Sequence, residues 1–174
     1  MTNKVRVFKL FTPSFIDYPD NESCAVCVVM MGCTNTCNGC QNPELKNPLY
    51  DIGTIEVSTN DLYEKLKNVC QKYRTNKVVL SGGDPLSIYN IEFTKELLLM
   101  NNIFDICIYT GHNIEYVKTN NVKGFNFIKC GFFDIKNYRK SEKTDSYMVF
   151  ASPNQKLYNN EYMLLSENGI YEFK

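Results

Sequence analysis

The sequence predicts an α/β domain on a mostly parallel sheet, shaped as an open, partial (β/α) barrel. Three observations predict it. Short apolar runs alternate with helical patterns through the middle of the chain, the order that a parallel sheet with crossover helices produces. A cysteine cluster and a glycine pair each follow one of those runs, and in parallel sheets ligand chemistry gathers at strand ends. The chain has 174 residues, too few for a full eight-unit barrel of typically ~250.

Val5 to Phe11 alternates apolar and charged residues and reads as a strand. Thr12 to Glu22, with Pro13, Pro19 and Asp20, reads as loop, and its Phe15-Ile16-Asp17-Tyr18-Pro19 stretch as an apolar approach to a site. Ser23 to Met31 is the first central strand. Pro43 closes the loop that follows it, because proline cannot donate a backbone hydrogen bond. A helix is predicted from Thr59 to Tyr73, capped by Ser58 or Thr59, with Leu62, Leu66, Val69 and Tyr73 as its apolar stripe and Cys70 beside it in the core. Lys77 to Leu80 is a short strand. Asn90 to Met100 is a helix with Ile91, Leu97, Leu98 and Leu99 as apolar surface. Phe104 to Tyr109 is a strand, Asn113 to Lys118 a short helix, and Phe125 to Phe133 a strand; Cys107 and Cys130 are buried strand residues. Lys136 to Ser146 reads as loop. Tyr162 to Leu165 and Ile170 to Phe173 flank Glu167-Asn168-Gly169 and predict a hairpin.

Nineteen basic residues balance nineteen acidic ones, so charge points to neither nucleic acid nor an anionic membrane as partner. No apolar run is long enough to span a bilayer, and no secretory opening is visible. Eight cysteines in such a chain predict a reducing, cytoplasmic setting. The absence of repeats and linkers predicts one domain over residues 1–174.

The site is read from Met31 to Leu45, MGCTNTCNGCQNPEL. Cys33, Cys37 and Cys40 form a C-x3-C-x2-C spacing, and three thiolates that close call for a metal. Cysteine thiolates are the usual ligands of a four-iron cluster. Three of them leave one iron open to a substrate, whereas a fully ligated cluster mainly carries electrons. Structural zinc is the alternative, since Cys24 and Cys27 add a C-x2-C. Three residues apart on a strand, however, those two point to opposite faces. Downstream, Ser81-Gly82-Gly83-Asp84-Pro85-Leu86 follows a strand. Two glycines there permit close backbone approach, and an acid beside them suits an ammonium. Tyr109-Thr110-Gly111, at another strand end, is a further candidate lining. His112, the single histidine, reads as a polar surface residue without a partner.

The cysteine spacing and the Gly-Gly-Asp segment together resemble the radical S-adenosylmethionine (SAM) superfamily. Within it, the GC-x3-C-x-G-C core with Gln-Asn-Pro-Glu-Leu, the Ser-Gly-Gly-Asp-Pro-Leu and Tyr-Thr-Gly segments, Phe127-Ile128-Lys129-Cys130-Gly131 and Ser152-x-Asn154-Gln155 are similar to the activating proteins of anaerobic (class III) ribonucleotide reductases. Gly39 stands where most of the superfamily has an aromatic residue. Asp84 replaces its usual Glu, and Cys130-Gly131-Phe132-Phe133 replaces a Gly-Pro-Tyr-like segment.

The resemblance implies a partial barrel of radical SAM type. It implies a [4Fe-4S] cluster on Cys33, Cys37 and Cys40, with SAM on the fourth iron near Gly39, Gln41, Gly82, Gly83, Asp84, Tyr109 and Thr110. It implies reduction by a flavodoxin-like donor, cleavage of SAM to a 5′-deoxyadenosyl radical, and transfer of that radical to a glycine of the large reductase subunit. An activase of another glycyl radical enzyme, of the pyruvate formate-lyase type, and a non-catalytic metal-binding module are the rival readings.

Overall fold

A computed structural model describes residues 3–21 and 24–173. The first strands are β1 (Lys4–Phe8), β2 (Thr12–Ser14), β3 (Ala25–Met30) and β4 (Thr54–Ser58). Helix α1 (Thr59–Tyr73) leads to β5 (Lys77–Gly82), α2 (Ile91–Met100) to β6 (Asp105–Thr110), and α3 (Ile114–Thr119) to β7 (Phe127–Cys130). The tail adds β8 (Glu142–Lys143), β9 (Tyr147–Val149), β10 (Lys156–Asn159) and β11 (Ile170–Glu172).

The main sheet runs β10-β7-β6-β5-β3-β1-β4, with β2 also on β3. Its centre, β3, β5, β6 and β7, is parallel. The outer strands β1, β4, β2 and β10 are antiparallel, so the expected parallel order holds in the middle and not at the margins. Among the described residues no pairing joins β10 to β4, and the sheet is open.

Register sorts the side chains into two faces. Val28, Leu80, Ile108 and Ile128 are paired across the four parallel strands, and all are fully buried. They share a core with Leu62, Leu66 and Cys70 of α1, Phe93, Leu97 and Leu98 of α2, and Val117 of α3. One residue earlier, Cys27, Val79, Cys107 and Phe127 form the matching row, and strand alternation turns it to the opposite face. Residues 15–21 cover that face. Tyr18 is buried there with its ring edge-on to Phe127 at 5.8 Å. Lys77 pairs with Asp20, and the Lys143 ammonium donates to the Tyr18 carbonyl at 3.0 Å.

Several expected elements are adjusted. β2 lies in the span read as loop; a three-residue strand held by β3 has too little pattern to announce itself. Glu22 and Ser23, the end of that loop and the start of the expected central strand, lie outside the described residues. β4, unassigned in the sequence, pairs with β1 over five residues. In α2, Leu99 is exposed and Phe93 is the buried anchor. The span read as loop before Ser146 holds β8. The Glu167–Ile170 turn forms, with Asn168 and Gly169 at positive φ. The partner of β11 is β9, however, and not residues 162–165. Helix α1 is as expected. The Ser58 hydroxyl accepts from the Asp61 N–H at 3.2 Å, and the Asp61 carboxylate accepts from the Ser58 N–H at 3.2 Å.

Candidate metal centre

Two residues beyond the Cys27 row, on the same face, stand Val29, Ser81, Tyr109 and Lys129. They form one wall of a cavity of about 390 Å³ at the carboxyl ends of the parallel strands. Its size falls in the ~300–1,000 Å³ range of small-molecule sites. The opposite wall is the cysteine loop: Cys33, Cys37 and Cys40 all line the cavity, with Asn35 and Gln41. Among the described residues no three His, Cys, Asp or Glu side chains gather around a single metal position. The three thiols border a space, which suits a group with several metal atoms. Their chemistry fits an iron–sulfur cluster, whose usual ligands are thiolates. Cys24 and Cys27 do not join them. The Cys24 thiol points to the Tyr73 carbonyl of α1 and the Cys27 thiol to Asp17, on opposite faces of β3.

Gly82 and Gly83 line the cavity at the end of β5. Gly82 has a φ of +112°, and a Cβ on Gly83 would come within 2.6 Å of the Gly32 and Leu45 carbonyl oxygens. Only glycine fits where the two loops touch. The Gly83 N–H donates to the Met30 carbonyl at 2.8 Å, which joins the two loops directly.

Of the residues expected near the ligand, Gln41, Gly82, Gly83, Tyr109 and Thr110 line the cavity. Gly39 is not part of the cavity lining, and a Cβ there would come within 2.8 Å of Ile135. Asp84 is only 1% exposed and lies behind the wall. Its carboxylate accepts from the Asn35 amide (2.6 Å), the Leu86 N–H (2.8 Å), the Gly111 N–H (2.9 Å) and the Thr110 hydroxyl (2.9 Å). Burial pushes its pKa up, against those hydrogen bonds. His112 is not the surface residue expected. It stacks on Tyr116 with centroids 3.8 Å apart, and its buried Nε2 lies 3.9 Å from Asp84 without a hydrogen bond among the described residues.

Asn35, Lys129 and Gln155 are among the lining residues that the sequence did not single out as ligand contacts. Burial lowers the Lys129 ammonium to about 8, and it lies 3.5 Å from the Tyr109 ring centroid. A lysine inside an apolar strand was the available signal. Gln155 belongs to a turn that fastens the β7 exit: its amide donates weakly to the Gly131 carbonyl (3.5 Å), while the Asn154 amide donates to the Phe132 carbonyl (2.8 Å). Asp17 also lines the cavity, and its carbonyl accepts from the Tyr109 hydroxyl.

Residues 21–158 match the sequence profile of the 4Fe-4S single cluster domain, a span that holds the cysteine loop and every strand of the parallel centre. The chain belongs to the 4Fe-4S single cluster domain family. No curated protein matches it. Among solved structures, QueE from Escherichia coli is similar over 62% of this chain and 53% of its own, at 18% identity and a TM-score of 0.44. The chain thus spans about half the length of that protein. Cys33, Cys37 and Cys40, the three thiols that share the cavity wall, all lie within the matched span.

Proposed function

We propose that the chain is a radical SAM enzyme that generates a glycyl radical on an anaerobic ribonucleotide reductase. The observation that carries this reading is one shared cavity. Three cysteines, two glycines at the end of β5 and the Tyr109-Thr110 strand end border the same space. A reduced cluster held there would supply the one electron for reductive cleavage of SAM to methionine and a 5′-deoxyadenosyl radical, and hydrogen transfer from a glycine Cα would then give 5′-deoxyadenosine and the glycyl radical.

The chain's own residues position and shield. Cys33, Cys37 and Cys40 would hold three irons of the cluster. The Gly82-Gly83 backbone, which no side chain obstructs, receives the methionine end of SAM, with Gln41 and Thr110 beside it. Tyr109 and Phe133 contribute apolar wall and exclude water. The open sheet, read as a partial barrel, leaves room for a polypeptide loop. Phe132, Ile135 and Tyr138, exposed on the segment after β7, supply apolar surface beside the cavity and support a protein as substrate. No helix among the described residues is long and apolar enough to cross a membrane. A single activase domain working in the cytoplasm with a flavodoxin-like donor accords with this reading.

The test is anaerobic. After reconstitution with iron and sulfide and reduction by dithionite, the chain with SAM is expected to form 5′-deoxyadenosine. Addition of the reductase large subunit is expected to give a glycyl radical EPR signal. Cys33→Ala is expected to abolish both while the far-ultraviolet circular dichroism stays near wild type. A protein that binds iron and never cleaves SAM would leave the binding-module reading in its place. SAM cleavage without a radical on the reductase, but with one on a pyruvate formate-lyase type enzyme, would move the target.

A further inference from the structure

Asp84 occupies the sequence position of a ligand-gripping acid, yet its carboxylate has nothing left to offer a ligand. A carboxylate has about four lone-pair sites. Here four donors fill them: the Asn35 amide, the Thr110 hydroxyl, and the Leu86 and Gly111 N–H groups. It is 1% exposed and is not part of the cavity wall. Asn35 has a different outlook. It lies between Cys33 and Cys37, and its backbone N–H donates to the Cys33 sulfur at 3.4 Å. Its side-chain amide reaches back 2.6 Å to Asp84. The start of the loop is held separately: the Asn90 amide donates to the Met31 and Gly32 carbonyls at 2.8 and 3.2 Å, and the Ser87 hydroxyl to Gly32 at 3.1 Å.

We propose that Asp84 and Asn35 are a positioning pair: the buried carboxylate anchors the middle of the cysteine loop through the Asn35 amide, and so fixes where Cys33 presents its sulfur. The inference rests on the reading of Cys33, Cys37 and Cys40 as cluster ligands. The strut runs from the exits of β5 and β6, through Asp84 and Asn35, to a hydrogen bond on the ligand sulfur. Partners at that remove orient metal ligands, and their loss typically weakens metal retention about 10–100-fold. Asp84 is thus a support for the loop and not a contact to SAM.

Asn35→Ala, Asp84→Asn and the double variant of the full chain test this in two ways. First, iron release from the reconstituted proteins to a chelator is expected to be about 10–100-fold faster in each single variant. The double variant should be no worse than the weaker single one, because the two residues act through one contact. The KM for SAM, per iron-loaded chain, should stay near wild type. Second, hydrogen exchange of the metal-free chain is expected to quicken over residues 33–41 in both variants and to stay unchanged over residues 59–73. Wild-type iron retention and loop exchange in Asn35→Ala would overturn the proposal, whatever Asp84→Asn does to folding. So would an Asp84→Asn protein that keeps its cluster but has a raised KM for SAM, the mark of a direct ligand contact. If the wild-type chain holds iron and never cleaves SAM, the function above fails while iron release still decides the strut. If it takes up no iron, loop exchange alone decides it.

Discussion

At the scale of single residues, Lys129 is a buried cation in the cavity wall. β7 is short and apolar, and strand alternation turns Lys129 toward the cavity while Ile128 and Cys130 face the helices. Its neighbours there are aromatic: Tyr109 at 3.5 Å and Phe150 at 5.5 Å. Burial lowers the ammonium from 10.5 to about 8. Between those values the unfolded chain keeps a proton that the folded chain has released. Stability from this group therefore rises with pH from about 8 to 10.5, and below 8 the cost of burying the charge is present in full. Urea unfolding of the metal-free chain across that window is expected to show a rise, with a slope of up to ~1.4 kcal/mol per pH unit, that Lys129→Met lacks. Identical pH profiles would place the ammonium in water. Sequence alone marked the three cysteines, both glycines and Thr110 at this scale. It could not mark Asn35 or His112, because their partner, Asp84, is remote in sequence and its inward turn depends on the packing of three loops.

At the scale of elements, the strongly patterned pieces were the legible ones. Helix α1 has a stripe, a cap and a left-handed C-terminal residue, Arg74, with φ 53°. Its ends therefore follow from local chemistry. Ser58→Ala removes the hydroxyl half of the capping box and is expected to cost about 0.5–2 kcal/mol, read as a lower urea midpoint with an unchanged m-value. A smaller loss would mean that the β4–α1 junction is held by packing alone. By contrast β2, β8 and β10 have two to four residues each. Such strands exist because a neighbour offers an edge, and nothing in their own composition reports that edge. The tail turn shows the same division. Asn168-Gly169 dictated the reversal, but the strand that β11 would join was decided by tertiary contacts.

At the scale of the whole molecule, the cavity is assembled from the exits of β3, β5, β6 and β7, and its placement depends on one apolar row beneath it. Leu80 sits in the middle of that row, between Val28 and Ile108, with no exposed surface. Leu80→Ala is expected to destabilise the chain by about 2–5 kcal/mol, seen in chemical unfolding, and to weaken iron retention only through the loss of fold. A smaller change would show a core able to collapse around the gap. The alternation of strands and helices made the parallel centre legible. The antiparallel margins were not, because β1 finds its partners at β3 and β4 and no local pattern orders those three strands.

The strut between Asn35 and Asp84 spans 49 positions of sequence, and the Thr110 and Gly111 contacts come later still. As the chain leaves the ribosome, the three thiols emerge close to the Leu45 and Lys46 carbonyls that accept from the Gly32 and Cys33 N–H groups, but well before Asp84. β1 likewise waits for β4 before its second edge is satisfied. The cysteine loop of a nascent chain is therefore closed at its base before its middle is anchored. The loop reaches its final form only once β5 and β6 have docked, so the order of synthesis leaves the middle of the cysteine loop to be fixed last.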